Sequence, residues 1–278
     1  MNTSYRTETS TLLTIGHRPR AAIAAVTLAM AMTPWSISAA DDEEDEIPFS
    51  VANVFFELNN TDGDLGIHAL IDGDPWKRLE IEDPNERKLL NVRLKGRLRR
   101  QGLTELFFES AEPPFESDDP EEVTLTPEEF FERFPEGEYE VSGRTLEGDE
   151  LESTAMVTHL MPAPADNVMV NGSATPEDCD DGPVPMVIEP FVISWDAVTL
   201  SHPEIGRTNE PITVDRYEVV VEREEPAPLK FTIDLPPDVT TVQLPAGLTN
   251  TDEQLKLEVL VREASGNQTA VETCFGVL

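Results

Sequence analysis

Residues 191–198, FVISWDAV, decide the fold class. Phe191, Ile193 and Trp195 fall on every second position, so three large apolar side chains share one face of an extended segment. A period of two is that of a β-strand, whose successive side chains point to opposite faces; a helix would need 3.6. The same period recurs outward from this point. VDRYEVVVE (214–222) aligns Tyr217, Val219 and Val221, TTVQLP (240–245) offers Val242 and Leu244, and LKLEVLVRE (255–263) offers Leu257, Val259 and Val261. A first strand near 167–170 and a last near 270–275 complete a seven-stranded count. Half-buried strands of this kind bury their apolar faces by packing two sheets together.

The preceding block, 48–160, also reads as strands, at 51–58, 66–71, 76–81, 88–94, 103–109, 138–145 and 151–159. Turn signals (DGD, DPNE, EGD, and later PEIG, LPPD and SGN) separate them at the spacing of an all-β protein. One helix is expected near 126–135. Thr126-Pro127-Glu128-Glu129 is a capping box with Pro at the first helical position, and Phe130, Phe131 and Phe134 supply an apolar face. Phe107 and Phe108 are expected to join that aromatic group. The acidic loop ahead of the helix, ESAEPPFESDDPEE (109–122), is expected to be mobile.

With its Trp195 and Tyr217 strands, Leu244 before a turn and a strand preceding SGN, the block 166–278 resembles a fibronectin type III domain. It departs from that family at Leu257, where the sixth strand usually carries the Tyr of a tyrosine corner. In the first block, FPEGEYEVSGRT (134–145) followed by EGDELESTAMVTH (147–159) is similar to the closing hairpin of bacterial Ig-like modules. TDGDLGIHALIDGDPWK (61–77) and QGLTELFFESAEP (101–113) look like the N-terminal half of exported bacterial proteins that end in a type III module. The resemblance implies an all-β chain of two tandem β-sandwich domains. An Ig-like sandwich with an inserted helix (48–160) is followed by a linker (161–165) and a fibronectin type III-like sandwich (166–278), the two forming a rod. It implies structural and interaction roles and no activity, because a fold does not fix a function.

Residues 1–40 read as a secretory signal peptide. Arg18 and Arg20 precede a short apolar run, followed by small residues at Ser38 and Ala40 and then an acidic segment, 41–47. An uncleaved anchor is the other reading of this segment; no later run is apolar enough to cross a bilayer. Export to a periplasm or the extracellular medium is therefore expected, with no membrane span in the mature chain. Past residue 40 there are 17 basic and 54 acidic side chains, a net charge of about −37. That field repels nucleic acid and anionic surfaces, suits saline surroundings, and raises the option of divalent-cation binding.

Two cysteines remain, Cys179 and Cys274, an even number that in an exported protein favours one disulfide. In the seven-stranded topology Cys179 falls in the first inter-strand loop, at the same pole as Cys274 near the C-terminus. Their bridge would close a loop of about 95 residues and contribute about 2–4 kcal/mol.

Candidate chemistry is sparse. Asn60, Asp62 and Asp64 have the alternate spacing of a calcium loop, but Leu65 and Ile71 stand where an EF-hand needs Gly and Glu. The second triplet, Asp72-Gly73-Asp74, reads as a hairpin turn before Trp76. Asp62 and Asp64 keep a claim to calcium if the acidic loop brings Asp118 and Asp119 to the same pole. His68, His159 and His202 have no neighbour at zinc-ligand spacing, and His68 and His159 read as hydrogen-bonding residues at strand ends. There is no nucleophile elbow and no phosphate-cradling loop. The expected function is a non-enzymatic, exported binding or spacer protein without a cofactor, taking a protein or glycan partner. A calcium-stabilised or carbohydrate-binding accessory module is the alternative, and a hydrolase the remote one.

Overall fold

The computed structural model describes residues 46–177, 179, 183–223, 227–247 and 254–278. The expected signal peptide and most of the acidic segment lie outside the described residues.

The chain order is β1 (Val51–Asn59), β2 (Asp64–Glu82), β3 (Lys88–Arg93), α1 (Leu98–Gln101), β4 (Leu103–Glu109), α2 (Pro127–Arg133), β5 (Gly137–Thr145) and β6 (Glu150–Val157). It continues with β7 (Met169–Val170), β8 (Ser173–Ala174), β9 (Met186–Val187), β10 (Val192–Ser194), β11 (Val214–Arg223), β12 (Leu229–Leu235), β13 (Thr241–Gln243), β14 (Gln254–Glu263) and β15 (Gln268–Val277). The all-β, two-sandwich class expected from sequence is the one observed, with α1 as a second short helix. The FVISWDAV strand is β10, and Phe191, Ile193 and Trp195 are all buried. They pack against Tyr217, Val219 and Val221 of β11 and Leu257, Val259 and Val261 of β14 in one core. Each such burial is worth ~1.5–3 kcal/mol. The Trp195 and Tyr217 rings meet edge-on at 5.3 Å.

The N-terminal core forms differently from expectation. The second Asp-Gly-Asp triplet is not a hairpin: β2 runs unbroken for 19 residues, and its pairing shifts register between Asp72 and Trp76. Before the shift β2 pairs with β1 and β4; after it, β4 keeps only Leu103 opposite Trp76 and the strand pairs with β3 and β5. One strand thus serves both layers, and Leu65, Ile67, Ala69 and Ile71 face Leu79 and Ile81 across the same core. Gly73 serves close approach here, since a Cβ at that position would sit 2.9 Å from the Phe49 ring. Asp-Gly permits a hairpin but does not compel one when apolar residues on both sides can be buried by bending.

The capping box forms as expected. Thr126 Oγ1 accepts from Glu129 N, and Thr126 N donates to Glu129 Oε2, both at 3.3 Å. Phe130, Phe131 and Phe134 surround Phe56, with ring centroids 5.2–6.4 Å away. Phe107 departs from that group: it lies on the other face of β4, 54% exposed, edge-on to His68. A tyrosine corner does exist, but in the N-terminal half, where the buried Tyr139 donates to Pro135 O at 3.1 Å.

The two sandwiches share a sheet. Eleven strands connect in the path β12-β11-β14-β15-β1-β2-β5-β6, with β3 and β4 joined to β2 and β9 joined to β15. The linking pair is parallel, with Glu57, Leu58 and Asn59 of β1 opposite Gln268, Thr269 and Ala270 of β15. Strands β13-β10-β7-β8 form the second sheet. An end-to-end rod has no such pairing; here β1 closes an edge that β15 would otherwise expose. The Pro-containing segment 161–165 is also held in place. Ala163 N donates to Leu200 O at 3.0 Å, and the buried Thr269 hydroxyl donates to Pro162 O at 2.8 Å.

Candidate functional site

The residues singled out in the sequence converge on the turn between β1 and β2, where the two sandwiches meet. Asn59 organises that turn. Its Oδ1 accepts from Thr61 N and Asp62 N at 3.1 and 3.2 Å, an Asx-type turn, while its Nδ2 donates to Asp62 Oδ2 at 3.0 Å. Nδ2 also reaches Glu272 Oε1 of β15 at 3.2 Å. Thr61 completes the crossing: its hydroxyl donates to Glu272 O at 3.2 Å and accepts from Glu272 N at 2.9 Å, replacing a strand pair with a side chain. A groove of about 670 Å³ opens beside it, lined by Asn60, Thr61, Pro164, Asp166 and Glu177 among others.

Asp64 has a buried Oδ1 with no hydrogen-bond partner among the described residues. Burial pushes its carboxyl up to about 6, assisted by the negative charges of Glu112, Asp62, Glu272 and Glu57. The loop expected to be mobile is what delivers Glu112. Phe115 N donates to Gly63 O at 2.8 Å, Leu125 N donates to Pro114 O at 3.1 Å, and Pro114 bridges Asp64. Asp62 and Asp64 are thus brought into one electrostatic neighbourhood with Glu112 and Glu272. Asp118 and Asp119 are exposed, and Asp119 accepts from Glu121 N within its own loop at 2.9 Å. Among the described residues no group of three or more His, Cys, Asp or Glu is arranged to hold a metal ion.

The polar row continues across the outer face of the shared sheet. His68, 3% exposed, contacts Glu112 Oε1 at 3.0 Å and Glu57 Oε2 at 3.6 Å, and packs on Phe55. Arg262 lies 4.3 Å above the Phe55 ring. Burial raises the Glu57 carboxyl, and it pushes Glu258 on β14 up to about 7, with Glu272 and Glu57 adding repulsion.

Of the other histidines, His202 spans the junction and the His159 ring stays within the N-terminal half. His202 Nδ1 accepts from Glu204 N and Ile205 N at 3.1 and 2.9 Å, so Nε2 carries the proton and donates to Asn60 Oδ1 at 3.0 Å. His159 stacks on Phe131 at 4.2 Å and bonds Phe134 O at 2.8 Å. The residue that sequence reasoning missed is Asn267, 1% exposed, in the SGN turn between β14 and β15. Its Oδ1 accepts from Phe56 N at 2.9 Å, and its Nδ2 donates to Thr158 O at 2.8 Å and Leu160 O at 3.3 Å. A lone Asn beside a Gly signals only a turn, so its reach into the other sandwich left no trace in the sequence.

Cys274 is buried on β15, and Cys179 is half-buried. Strand β15 grips the chain on both sides of Cys179. Thr273 Oγ1 donates to Pro176 O at 2.6 Å, and Gly276 N donates to Pro185 O at 2.9 Å.

No family model matches the chain. No curated protein matches it either. Among solved structures it is similar to the fibronectin(III)-like modules of Clostridium thermocellum CbhA, at 10% identity and a TM-score of 0.28, covering 82% of this chain and 90% of that one. It is also similar to the chicken CNTN1 FN1–FN3 domains, at 11% identity and a TM-score of 0.30, covering 83% and 64%. A third likeness is to a tetra-tandem repeat in the extending region of a large adhesion protein, at 11% identity and a TM-score of 0.25, covering 82% and 50%. The chain thus spans about half to two thirds of the second and third. The sandwich architecture rests on the strand pairing described above, not on these overlaps.

Proposed function

We propose that this chain is an exported, non-enzymatic protein of a bacterial envelope or its medium, with an Ig-like module at 48–160 and a type III-like module at 166–278. The pair binds or spaces a protein or glycan partner. The observation that carries this reading is the junction itself. Strand β1 on β15, Asn267 and the Asn60–His202 bond commit backbone and buried polar side chains to holding the two modules together. A rigid pair presents a surface without the entropic cost of ordering a hinge on binding. Export also suits the Cys179–Cys274 disulfide, which the two flanking anchors on β15 favour. Affinity capture with the mature protein from envelope extract, in high salt with and without chelator, tests the role. One saturably retained protein or glycan class is expected; turnover of an ester, glycoside or peptide, abolished by a point substitution, would overturn it.

A second reading is favoured by the unpartnered Asp64 Oδ1, which a proton or a hard cation can satisfy. If the cation is calcium, millimolar calcium raises the melting temperature of the wild type and not of Asp62→Ala/Asp64→Ala. Equal stabilisation by sodium at matched ionic strength leaves only the proton.

A further inference from the structure

Nine of the 17 basic residues beyond position 40 lie between Lys77 and Arg100, and no acidic residue occurs from Arg87 to Thr104. In a chain with 54 acidic residues beyond that position, such a gap is a local reversal of sign. The structure puts the densest part, Arg93, Lys95, Arg97, Arg99 and Arg100, on an exposed projection made by the end of β3, a turn and α1. The projection is ordered from below. Leu94 is buried in the core, its N–H donates to Lys77 O at 3.0 Å, and Gly102 N donates to Leu98 O at 2.7 Å before Leu103 pairs with Trp76. Elsewhere most bases find acids: Arg78, Lys88, Arg144, Arg207, Arg216, Lys230 and Lys256 each lie within 4.0 Å of a carboxylate, while Lys77 and Arg262 donate to the backbone carbonyls of Leu146 and Gly266. None of the five projecting side chains forms an ion pair among the described residues.

We propose that the 93–100 projection is a contact surface for a flexible anionic polysaccharide bearing sulfate or carboxylate groups. This rests on the binding role above and names the chemistry of the partner. Four of the five cations are arginines, whose planar fork pairs two-to-two with an oxyanion. Leu98, 50% exposed among them, offers an apolar spot for the C–H face of a sugar ring. The remaining acidic surface selects the partner's shape. Charges are screened over about 8 Å at physiological ionic strength, so a thin linear chain can cross the projection while staying clear of the acidic body. A flat anionic membrane cannot do so, and neither can a duplex carrying one charge per ~1.7 Å. A single nucleic acid strand would want stacking aromatics, and residues 87–102 contain none.

Binding of heparin and of polygalacturonate to the mature protein, measured by titration at 50 and 200 mM salt, tests the proposal. With five cations engaged, affinity is expected to fall about 10²-fold between those salt concentrations. Arg97→Glu/Arg99→Glu/Arg100→Glu should abolish binding at 50 mM without changing the melting temperature, whereas the matching Lys triple should keep most of it. Equal binding by wild type and the Glu triple overturns the proposal, as does tighter binding to phosphatidylglycerol vesicles or single-stranded DNA than to either polysaccharide. If neither polysaccharide binds but envelope capture succeeds, this proposal fails and the binding role stands; if both fail, both fall.

Discussion

Replacing Asn267 by Ala should weaken the whole molecule and separate its two halves. The side chain is buried and satisfies Phe56 N–H in one sandwich edge and Thr158 and Leu160 carbonyls in another segment. Alanine leaves a buried donor and at least one buried acceptor unpaired, each costing ~1–3 kcal/mol. We therefore expect a loss of about 3 kcal/mol, a shift of roughly two decades in the folding equilibrium. The side chain also ties β14–β15 to β1, so the loss should appear as reduced cooperativity. Trp76 reports on the N-terminal core and Trp195 on the C-terminal core. Each indole N–H is buried without a partner among the described residues, so Trp76→Phe or Trp195→Phe orphans nothing and leaves the other tryptophan as the mature protein's single reporter, of its own half. Urea titrations of these two backgrounds should superimpose with Asn267 present and split into two midpoints with Asn267→Ala. A loss below about 1 kcal/mol with superimposed curves would refute the reasoning, because the seam would then be held by backbone pairing alone.

Glu258, whose folded carboxyl is pushed up to about 7, stabilises the fold only when protonated: its contribution is full below its ordinary 4.5 and is lost as pH rises through 7. Glu258→Gln should therefore raise stability by ~1 kcal/mol or more at pH 8 and change little at pH 4.5; an equal effect at both refutes the cause. His202 has the opposite sense. Burial lowers its proton affinity, so its contribution is present above its ordinary 6.5 and is lost as pH falls, and His202→Ala should flatten the acid limb of the melting profile. Gly206→Ala should cost ~2 kcal/mol or more in chemical denaturation, since Gly206 has φ +69° and a Cβ there would sit 2.1 Å from the His159 carbonyl oxygen. Reductant should lower the melting temperature of the mature protein, and Cys179→Ser should abolish that sensitivity; a reductant-insensitive wild type argues against the bridge.

The strands of both sandwiches were legible because each presents one apolar face, and that pattern is written residue by residue. The helix was legible for a similar reason, as Thr126 and Glu129 act on neighbours three positions away. The Arg93–Arg100 run was equally open to reading, but a net charge averages it away. The course of β2 was not legible, because Asp72-Gly73 is compatible with a turn or a bend, and burial of Leu79 and Ile81 in the same core as Leu65, Ile67 and Ile71 chose the bend. Asn59, Thr61, Asn267 and His202 look like ordinary turn residues in the chain. Their partners lie more than 100 residues away, at Glu272, Phe56 and Asn60, so only the packed structure could assign them to the seam. Sequence by itself determined which residues turn inward, since period and apolarity are local properties. The tertiary structure alone decided that the two sandwiches share one sheet, because β1 and β15 pair across more than 200 residues of chain and each offers the other an otherwise unpaired edge.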